Sequence, residues 1–570
     1  EGATSMPALV RLPYLSSGAP LPGVELRTLA TQSQVGALYG LAYTPFGQND
    51  ASRAEDKLFA AAFLKRFNTV GQESPMTSGG IGTIWIFDNV SSLRASVGAS
   101  VFIDFNSVLP MADSPGDDAI VGPAVRNSSN LNPGSDRDVD ALRDSIKCGF
   151  GDIEMTSDFT ALLAVNLKNR TLYRLPVNRN TSLTVPQVYV TNDSRLNDAA
   201  FQRRDLVSNS ITDLLQVQPR NVNNLRPFAL KTLNGFVYVG FVDTDQFDDQ
   251  GAEGSGTTER MRLFVVRLPD SDIGGGTPEL VLEQSLAYSR FRYFSGDNTQ
   301  SQWQPWLDSM GDYFDLANPF KSLATANPRL RLTNYPQPVL TDIEFDDDCN
   351  MLLGLRDRTA DWGGKEFLAD VEQDVNDEEN SQETFFTTEA SAGDILRAER
   401  NCNQSPNTPE WVMEPLQPLD TPAGQTTSFF DDASPQSLQN GEATQGALAY
   451  FPTRNEVLTT VLDPIGLESG GTGRFCTKTG RAIVPQTEIF NFQNNQSLGK
   501  SNGLGDIELL IPPTPQPCCI DVPRACLLGM FDQPNMALLS VRVDNNGQQG
   551  TYRVCVLDLN GCPSPLTNEQ

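Results

Sequence analysis

The 570-residue sequence predicts an all-β fold, a β-propeller of six or seven four-stranded blades with long loop insertions, followed by a small C-terminal cysteine-rich β module. Three observations predict it. One phrase repeats: Gly151-Asp152-Ile153-Glu154 returns as Gly505-Asp506-Ile507-Glu508, with a partial echo at Thr341-Asp342-Ile343-Glu344, and such self-similarity marks a repeat architecture. Short apolar runs recur between segments rich in Gly, Pro, Asn and Asp, the grammar of strand meanders. The runs are continuously apolar instead of alternating, as in sheets covered on both faces.

Residues 1–35 form an N-terminal closing or docking segment, with strand-like runs at Ala8–Leu12 and Gly23–Arg27. The propeller spans residues 36–511. Its first unit reads Leu38–Pro45, Lys57–Leu64, Gly82–Phe87 and Ser100–Phe105. Ser52–Phe67 also reads as a helix and competes with the second of these strands. The second unit reads Asp152–Met155, Ala161–Val165, Thr171–Leu175 and Gln187–Val190. The third reads Pro227–Lys231, Phe236–Gly240, Arg262–Arg267 and Glu279–Leu282, and the fourth Val339–Phe345, Met351–Leu355, Asp394–Arg397 and Trp411–Met413. A fifth opens with Gly446–Phe451 and Glu456–Val461, and a sixth with Gly505–Leu510; Tyr288–Pro338 has room for a seventh. Long polar insertions at 111–147, 244–260, 296–338, 358–393 and 402–440 fall where propellers carry binding loops. Over residues 512–570 a proline linker leads to Met536–Val543 and Thr551–Leu557, a hairpin across Asn545-Asn546-Gly547.

Charge and composition exclude several function classes. The net charge is −29, with 71 acidic against 42 basic residues, so phosphate backbones and anionic lipid surfaces are repelled. No apolar run approaches the roughly 18 residues of a membrane span, so no direct membrane insertion is expected. Histidine is absent, which removes Ser-His-Asp and Cys-His nucleophile systems, imidazole metal ligands and histidine pH switches. No other catalytic constellation is recognisable, and the chain is expected not to be an enzyme. Glu1-Gly2-Ala3-Thr4-Ser5 has neither the basic nor the apolar region of a signal peptide, as expected of a secreted chain whose signal has been removed. Of nine cysteines, five lie in the last tenth of the chain. Cys349, Cys402, Cys518, Cys519, Cys526, Cys555 and Cys562 are the disulfide candidates, and they point to an extracellular or cell-surface location.

The repeated phrases supply the candidate site. Along a strand, Asp and Glu two apart share a face. On innermost strands, several of the carboxylates of Asp152, Glu154, Asp342, Glu344, Asp506 and Glu508 would converge on the central channel and hold calcium, which takes six to eight oxygens, with Asp152, Asp342 and Asp506 as the metal candidates. The competing role is structural, with each Asp capping a neighbouring turn. Asp243, Asp245 and Asp248 resemble a loose calcium loop, as does Asp346-Asp347-Asp348. Both lack the glycine and distal glutamate of an EF-hand and also read as solvated turns.

Six motifs then stand in a telling order. They are Tyr39–Tyr43 with Ala60–Arg66, Gly151–Glu154 with Val165–Leu167 and Thr171–Arg174, Arg226–Lys231 with Val237–Gly240, Leu340–Glu344 with Gly354–Arg358, Gly393–Ala398, and Lys500–Leu510. This order resembles the propeller region of large bacterial surface proteins, the region that usually precedes serine-aspartate-repeat-type B domains. The likeness covers residues 36–511 and departs twice. The Lys-Arg-His phrase of that family reads Lys65-Arg66-Phe67 here, and the proline linker with its cysteine module stands where stalk repeats usually follow. The resemblance implies a secreted or surface-exposed propeller and brings no catalytic residues. The expected function is that of an extracellular, non-enzymatic structural or adhesive protein, a subunit of an ordered surface assembly such as a filament or sheath. Its partners would be copies of itself, other surface proteins or glycans. The alternatives are a calcium-dependent propeller hydrolase or lyase and a carbohydrate-binding, lectin-like propeller.

Overall fold

The computed structural model describes residues 7–19, 26–44, 56–65, 80–91, 98–105, 144–177, 201–216, 219–245, 261–288, 303–307, 330–333, 335–362, 367–368, 385–388, 393–400, 410–414, 429–430, 444–465, 469–491 and 504–510. An antiparallel pair, β1 (Pro7–Arg11) and β2 (Arg27–Thr31), precedes the first four-stranded sheet. That first blade contains β3 (Leu38–Thr44), β4 (Lys57–Ala62), β5 (Thr83–Asp88) and β6 (Ala99–Asp104). The second contains β7 (Phe150–Met155), β8 (Ala161–Asn166), β9 (Thr171–Pro176) and β10 (Gln202–Asp205). The third contains β11 (Leu225–Leu233), β12 (Phe236–Asp243), β13 (Arg262–Pro269) and β14 (Glu279–Ser285). A small sheet of β15 (Leu330–Thr333), β18 (Phe367–Leu368) and β19 (Phe385–Thr388) interleaves with the fourth blade. That blade is built from β16 (Pro338–Phe345), β17 (Met351–Asp357), β20 (Asp394–Arg400) and β21 (Trp411–Met413). The fifth contains β22 (Thr444–Phe451), β23 (Glu456–Leu462), β24 (Ser469–Cys476) and β25 (Ala482–Asn491).

Each blade is an antiparallel meander, and the first strand of each packs on the first strand of the next: β3 on β7, β7 on β11, β11 on β16 and β16 on β22. This is a β-propeller arrangement with its innermost strands around a common axis. Leu504–Leu510 lies beside β3, where Leu510 joins the cluster of Leu38, Leu41 and Tyr43. The apolar core is divided among the junctions between blades. Phe59 and Ile84 meet Ile153 and Leu162; Leu163 and Val165 meet Leu230 and Val239; Val265 and Leu282 meet Ile343 and Leu353; Leu352 and Ile395 meet Leu448 and Phe475. Since both faces of each sheet are covered, β8, β16, β17 and β23 are buried at every residue. This accounts for the unbroken apolar runs.

The structure corrects two sequence expectations and completes a third. The Ser52–Phe67 helix is overruled where the chain is described: Lys57–Ala62 is strand β4, with Phe59, Ala60 and Ala61 fully buried between neighbouring strands. Alanine is the best helix former, but intrinsic propensity is a weak preference that tertiary burial overrides. The outer strand of the second blade is Gln202–Asp205, polar and alternately exposed, so it carries no apolar signal; Gln187–Val190 lies outside the described residues. The fifth blade is completed by β24 and β25, the first opening on Ser469-Gly470-Gly471, poor strand formers in isolation. Within Tyr288–Pro338 the described residues hold no further four-stranded sheet. Among the described residues five blades are complete.

Candidate functional site

The repeated phrase joins one blade to the next. Asp152 accepts hydrogen bonds from its neighbour Ile153 N at Oδ1 (2.8 Å) and from Leu230 N, on the innermost strand of the following blade, at Oδ2 (2.9 Å). Asp342 Oδ2 accepts from Leu448 N of the fifth blade at 2.6 Å. Asp506 accepts from Ile507 N and from Leu41 N of the first blade, both at 2.7 Å. The three receiving amides are alike in origin. In β3, β11 and β22 the strand register slips immediately before Leu41, Leu230 and Leu448. Such a bulge leaves a backbone N–H outside the ladder, and a carboxylate of the repeated phrase satisfies it. A buried amide left unmet would cost about 1–3 kcal/mol.

The glycine of the phrase follows from this approach. A Cβ on Gly505 would stand 2.6 Å from Leu38 O, and one on Gly151 3.0 Å from Phe228 O. In the partial echo Thr341 replaces that glycine and donates from Oγ1 to Gly446 O at 3.1 Å. Gly446 takes the place that Tyr39 and Phe228 hold in the other two receiving strands, and its φ of +84° suits a residue without a Cβ.

Two residues beyond each Asp, a glutamate enters the channel. Lys231 Nζ lies 2.9 Å from Glu344 Oε1 and 3.3 Å from Glu154 Oε2, and Glu508 also acts on it. Burial would lower the Lys231 ammonium, but the three glutamates outweigh it and hold it well above its ordinary value. Burial pushes Glu344 and Glu508 up, with Lys231 opposing. At the matching positions of the first and fifth blades, after Leu41 and Leu448, stand Ala42 and Ala449. One lysine thus serves three acids. The cluster lines a cavity of about 380 Å³, together with Tyr43, Asn234 and Tyr450.

Below this ring the three aspartates affect one another. Burial raises Asp152 and Asp342, and their mutual repulsion with Asp506 raises them further. Burial brings Asp506 to about 7, against the hydrogen bonds from Leu41 and Ile507. A carboxyl raised on folding holds its proton more tightly in the folded chain. Its stabilisation is fully present below its ordinary value of 3.8 and is lost as pH rises through about 7. Unfolding free energy is expected to fall across that window by up to about 1.4 kcal/mol per pH unit for each such group. Asp506→Asn should flatten the slope. Denaturant titrations at pH 5 and pH 8 check this, and an unchanged slope in the variant contradicts it.

A second buried cluster closes the opposite end. Arg356 forms a two-pronged pair with Asp361, Nε to Oδ2 at 2.9 Å and Nη2 to Oδ1 at 2.7 Å, with side chains 1% and 0% exposed. Its remaining nitrogen, Nη1, donates to Leu504 O at 2.7 Å and Gln445 O at 3.1 Å. Arg356 therefore ties the fourth blade to the fifth and to Leu504–Leu510. Its guanidinium lies over the Tyr39 ring, which meets Phe228 edge-on at 5.0 Å. Arg358 donates to Ser145 O and Leu307 O and stacks on Trp306. Burial pushes the Lys65 ammonium down to about 7, with Asp361 opposing and Arg356 adding to the shift.

The predicted site residues therefore divide. Asp152, Asp342 and Asp506 are brought together at the axis, and each is engaged by at least one backbone amide. Asp243, the last residue of β12, and Asp245 lie apart from them, with Asp245 N donating to Asp243 Oδ1 at 3.3 Å. Burial raises Asp243 to about 6. Asp346 accepts from Asn350 N and Asp348 N and shapes the β16–β17 turn. Asp248 lies outside the described residues. Among the described residues no group of three or more Cys, Asp and Glu side chains is placed to hold a metal ion. Cys349 is disulfide-bonded, while Cys148 and Cys476 are thiols. Cys402, Cys518, Cys519, Cys526, Cys555 and Cys562 lie outside the described residues.

Lys231, Arg356 and Asp361 were not among the predicted site residues. A signal existed for Lys231, since an isolated lysine ends the apolar run Pro227–Leu230. Nothing local distinguishes Arg356 from an exposed arginine.

No protein-family model and no curated protein matches the chain. Among solved structures, that of a Bacteroides fragilis protein proposed to be a 6-phosphogluconolactonase is similar over 81% of this chain and 86% of its own. The TM-score is 0.31 and the identity 11%, too low to carry an argument about chemistry.

Proposed function

We propose that this chain is a non-catalytic propeller that serves as a structural or adhesive element outside the cell, a subunit of an ordered surface assembly such as a filament or sheath. The observation that carries the proposal is the use of the axial groups. In a propeller the axis is where a substrate or metal would be expected. Here the three aspartates hold backbone amides, and the one lysine facing the three glutamates is occupied by them. A lysine held well above its ordinary value is a poor base or nucleophile. The acidic groups thus act as fasteners between blades, and no calcium is needed for that role. The disulfide at Cys349 and the absence of histidine agree with a secreted, non-hydrolytic protein.

The ring in this proposal has six positions. Leu504–Leu510 takes the sixth, since its Asp506 engages the first blade as Asp152 and Asp342 engage theirs, and its Glu508 joins the same glutamate cluster. A carbohydrate-binding role has one observation in its favour, the polar cavity bearing Tyr43, Tyr450 and Asn234.

Electron cryo-microscopy of native material is the test. Polymers with propellers in fixed repeat are expected. Isolated propellers at every concentration would overturn the structural assignment. Glycan binding abolished by Tyr450→Ala would then favour the lectin-like role.

A further inference from the structure

We infer that the segment Pro13–Gly18 is a clasp that holds the ring shut, and that the seam it crosses, between the fifth and first blades, is where the propeller opens. This rests on Leu504–Leu510 taking the sixth position of the ring and is independent of the assembly. The seam differs from the other four junctions. Each of those is closed by direct packing of one innermost strand on the next and by an apolar cluster drawn from both blades. β22 and β3 do not pack on each other in this way. They are joined through Leu504–Leu510, which Asp506 ties to Leu41 N and Arg356 holds at Leu504 O. Among the described residues, the apolar cluster on this side of the first blade takes in Leu9 and Leu510 but nothing from the fifth blade. Instead a cleft of about 570 Å³ runs between Leu38, Leu41 and Leu58 of the first blade and Phe451, Leu458 and Ile489 of the fifth. Side chains that line a cleft lack the contacts of packed ones, and local opening begins where buried apolar contacts are few.

The N-terminal segment spans this cleft from one blade to the other. At the first blade, Leu9 is buried with Leu58, Trp85 and Phe87, and Arg11 donates to Val90 O. At the fifth, the Tyr14 hydroxyl donates to Glu456 Oε2 at 2.8 Å, and its ring meets that of Phe451 with centroids 4.5 Å apart. Glu456 is itself fixed by Arg454 Nε at 2.9 Å and Arg474 Nη1 at 3.5 Å. Four residues on, Gly18 lies parallel to Thr487 on the outer edge of β25. Gly18 N donates to Gln486 O at 2.9 Å, Glu488 N to Gly18 O at 2.8 Å, and Thr487 Oγ1 to Ser16 O at 2.5 Å. The two attachments are unequal. On the first blade an apolar core holds Leu9, and β1 is paired along β2. On the fifth blade the attachment is one ring contact and a few hydrogen bonds at a sheet edge, with Leu15 between them 59% exposed. Hydrogen bonds at an edge exchange readily for bonds to water and add little net stability. The fifth-blade end therefore releases first, and β1 stays with the first blade.

Hydrogen exchange followed by mass spectrometry on the full chain tests the clasp, in the unmodified protein and in Tyr14→Ala and Thr487→Val. In the unmodified protein, peptides covering 504–510 are expected to be protected, but less than those covering 161–176 and 225–243. Tyr14→Ala removes a hydrogen bond to a buried carboxylate and should speed exchange of 13–18 and 504–510 by at least about 10-fold. Thr487→Val should act on the same peptides and by less. The peptides of the second to fourth blades, and those of β1, should keep their rates, which also shows that the variants fold. If 504–510 is protected in the unmodified chain and neither substitution alters it, the clasp is overturned while the ring stands. Equal acceleration of every blade also overturns it, since the segment would then add to global stability without guarding a seam. If 504–510 exchanges as fast as unstructured chain in the unmodified protein, the six-position ring itself fails and the clasp with it.

Discussion

Lys231→Met is expected to destabilise the protein by about 3 kcal/mol at pH 8 and by much less at pH 5. The substitution keeps the length and apolar stem of the side chain and removes only the charge. Glu154, Glu344 and Glu508 then face one another in a mostly buried channel, and removing one partner of a buried charge cluster typically costs about 3–5 kcal/mol. The pH dependence follows from the sign of the shifts. Glu344 and Glu508 are already raised by burial, with Lys231 holding them down. Without the lysine they rise further and take up protons as pH falls, which removes the repulsion. Urea denaturation of both proteins between pH 5 and 8 measures this. A cost below about 1 kcal/mol at pH 8, or one independent of pH, contradicts the role given to Lys231.

Arg356→Ala is expected to have the largest effect of any single substitution considered, about 4–5 kcal/mol. It strands Asp361, whose side chain is 0% exposed, and releases the carbonyls of Gln445 and Leu504. Arg356→Lys should recover little, because an ammonium cannot make the two parallel bonds that the guanidinium makes. Arg356→Ala with Asp361→Asn should recover part of the loss, since the stranded charge is gone. Thermal unfolding of the three variants checks the order. If Arg356→Lys unfolds within about 2 °C of the unmodified protein, the two-pronged pair is not the source of the stability.

How much of this was legible in the sequence depends on where each signal resides. The strands of the blade centres announce themselves, because a sheet covered on both faces needs apolar residues at consecutive positions, as in Ala161–Val165. Outer strands do not: Gln202–Asp205 is held by its pairing with β9, and its own composition is that of a loop. The repeated phrase was visible, and so was the convergence of its acids on the axis. Their partners were not, because the amides of Leu41, Leu230 and Leu448 are released by register slips and meet carboxylates that lie 465, 78 and 106 residues away. Arg356 was hidden for the same reason. Its partner Asp361 is five residues away, but the carbonyls it holds lie 89 and 148 residues further along the chain. Local sequence can show that a charged residue is present; burial by distant elements decides that it is a fastener.

The central claim is that each Asp of the repeated phrase holds a bulge amide of the next blade. Site-resolved hydrogen exchange of Leu41, Leu230 and Leu448 tests it most directly, in the unmodified chain and in three single variants. All three amides are expected to be protected. Asp506→Ala should release Leu41, Asp152→Ala should release Leu230 and Asp342→Ala should release Leu448, each with little effect on the other two. Fast exchange of these amides in the unmodified protein, or equal release of all three by any one substitution, would contradict the account.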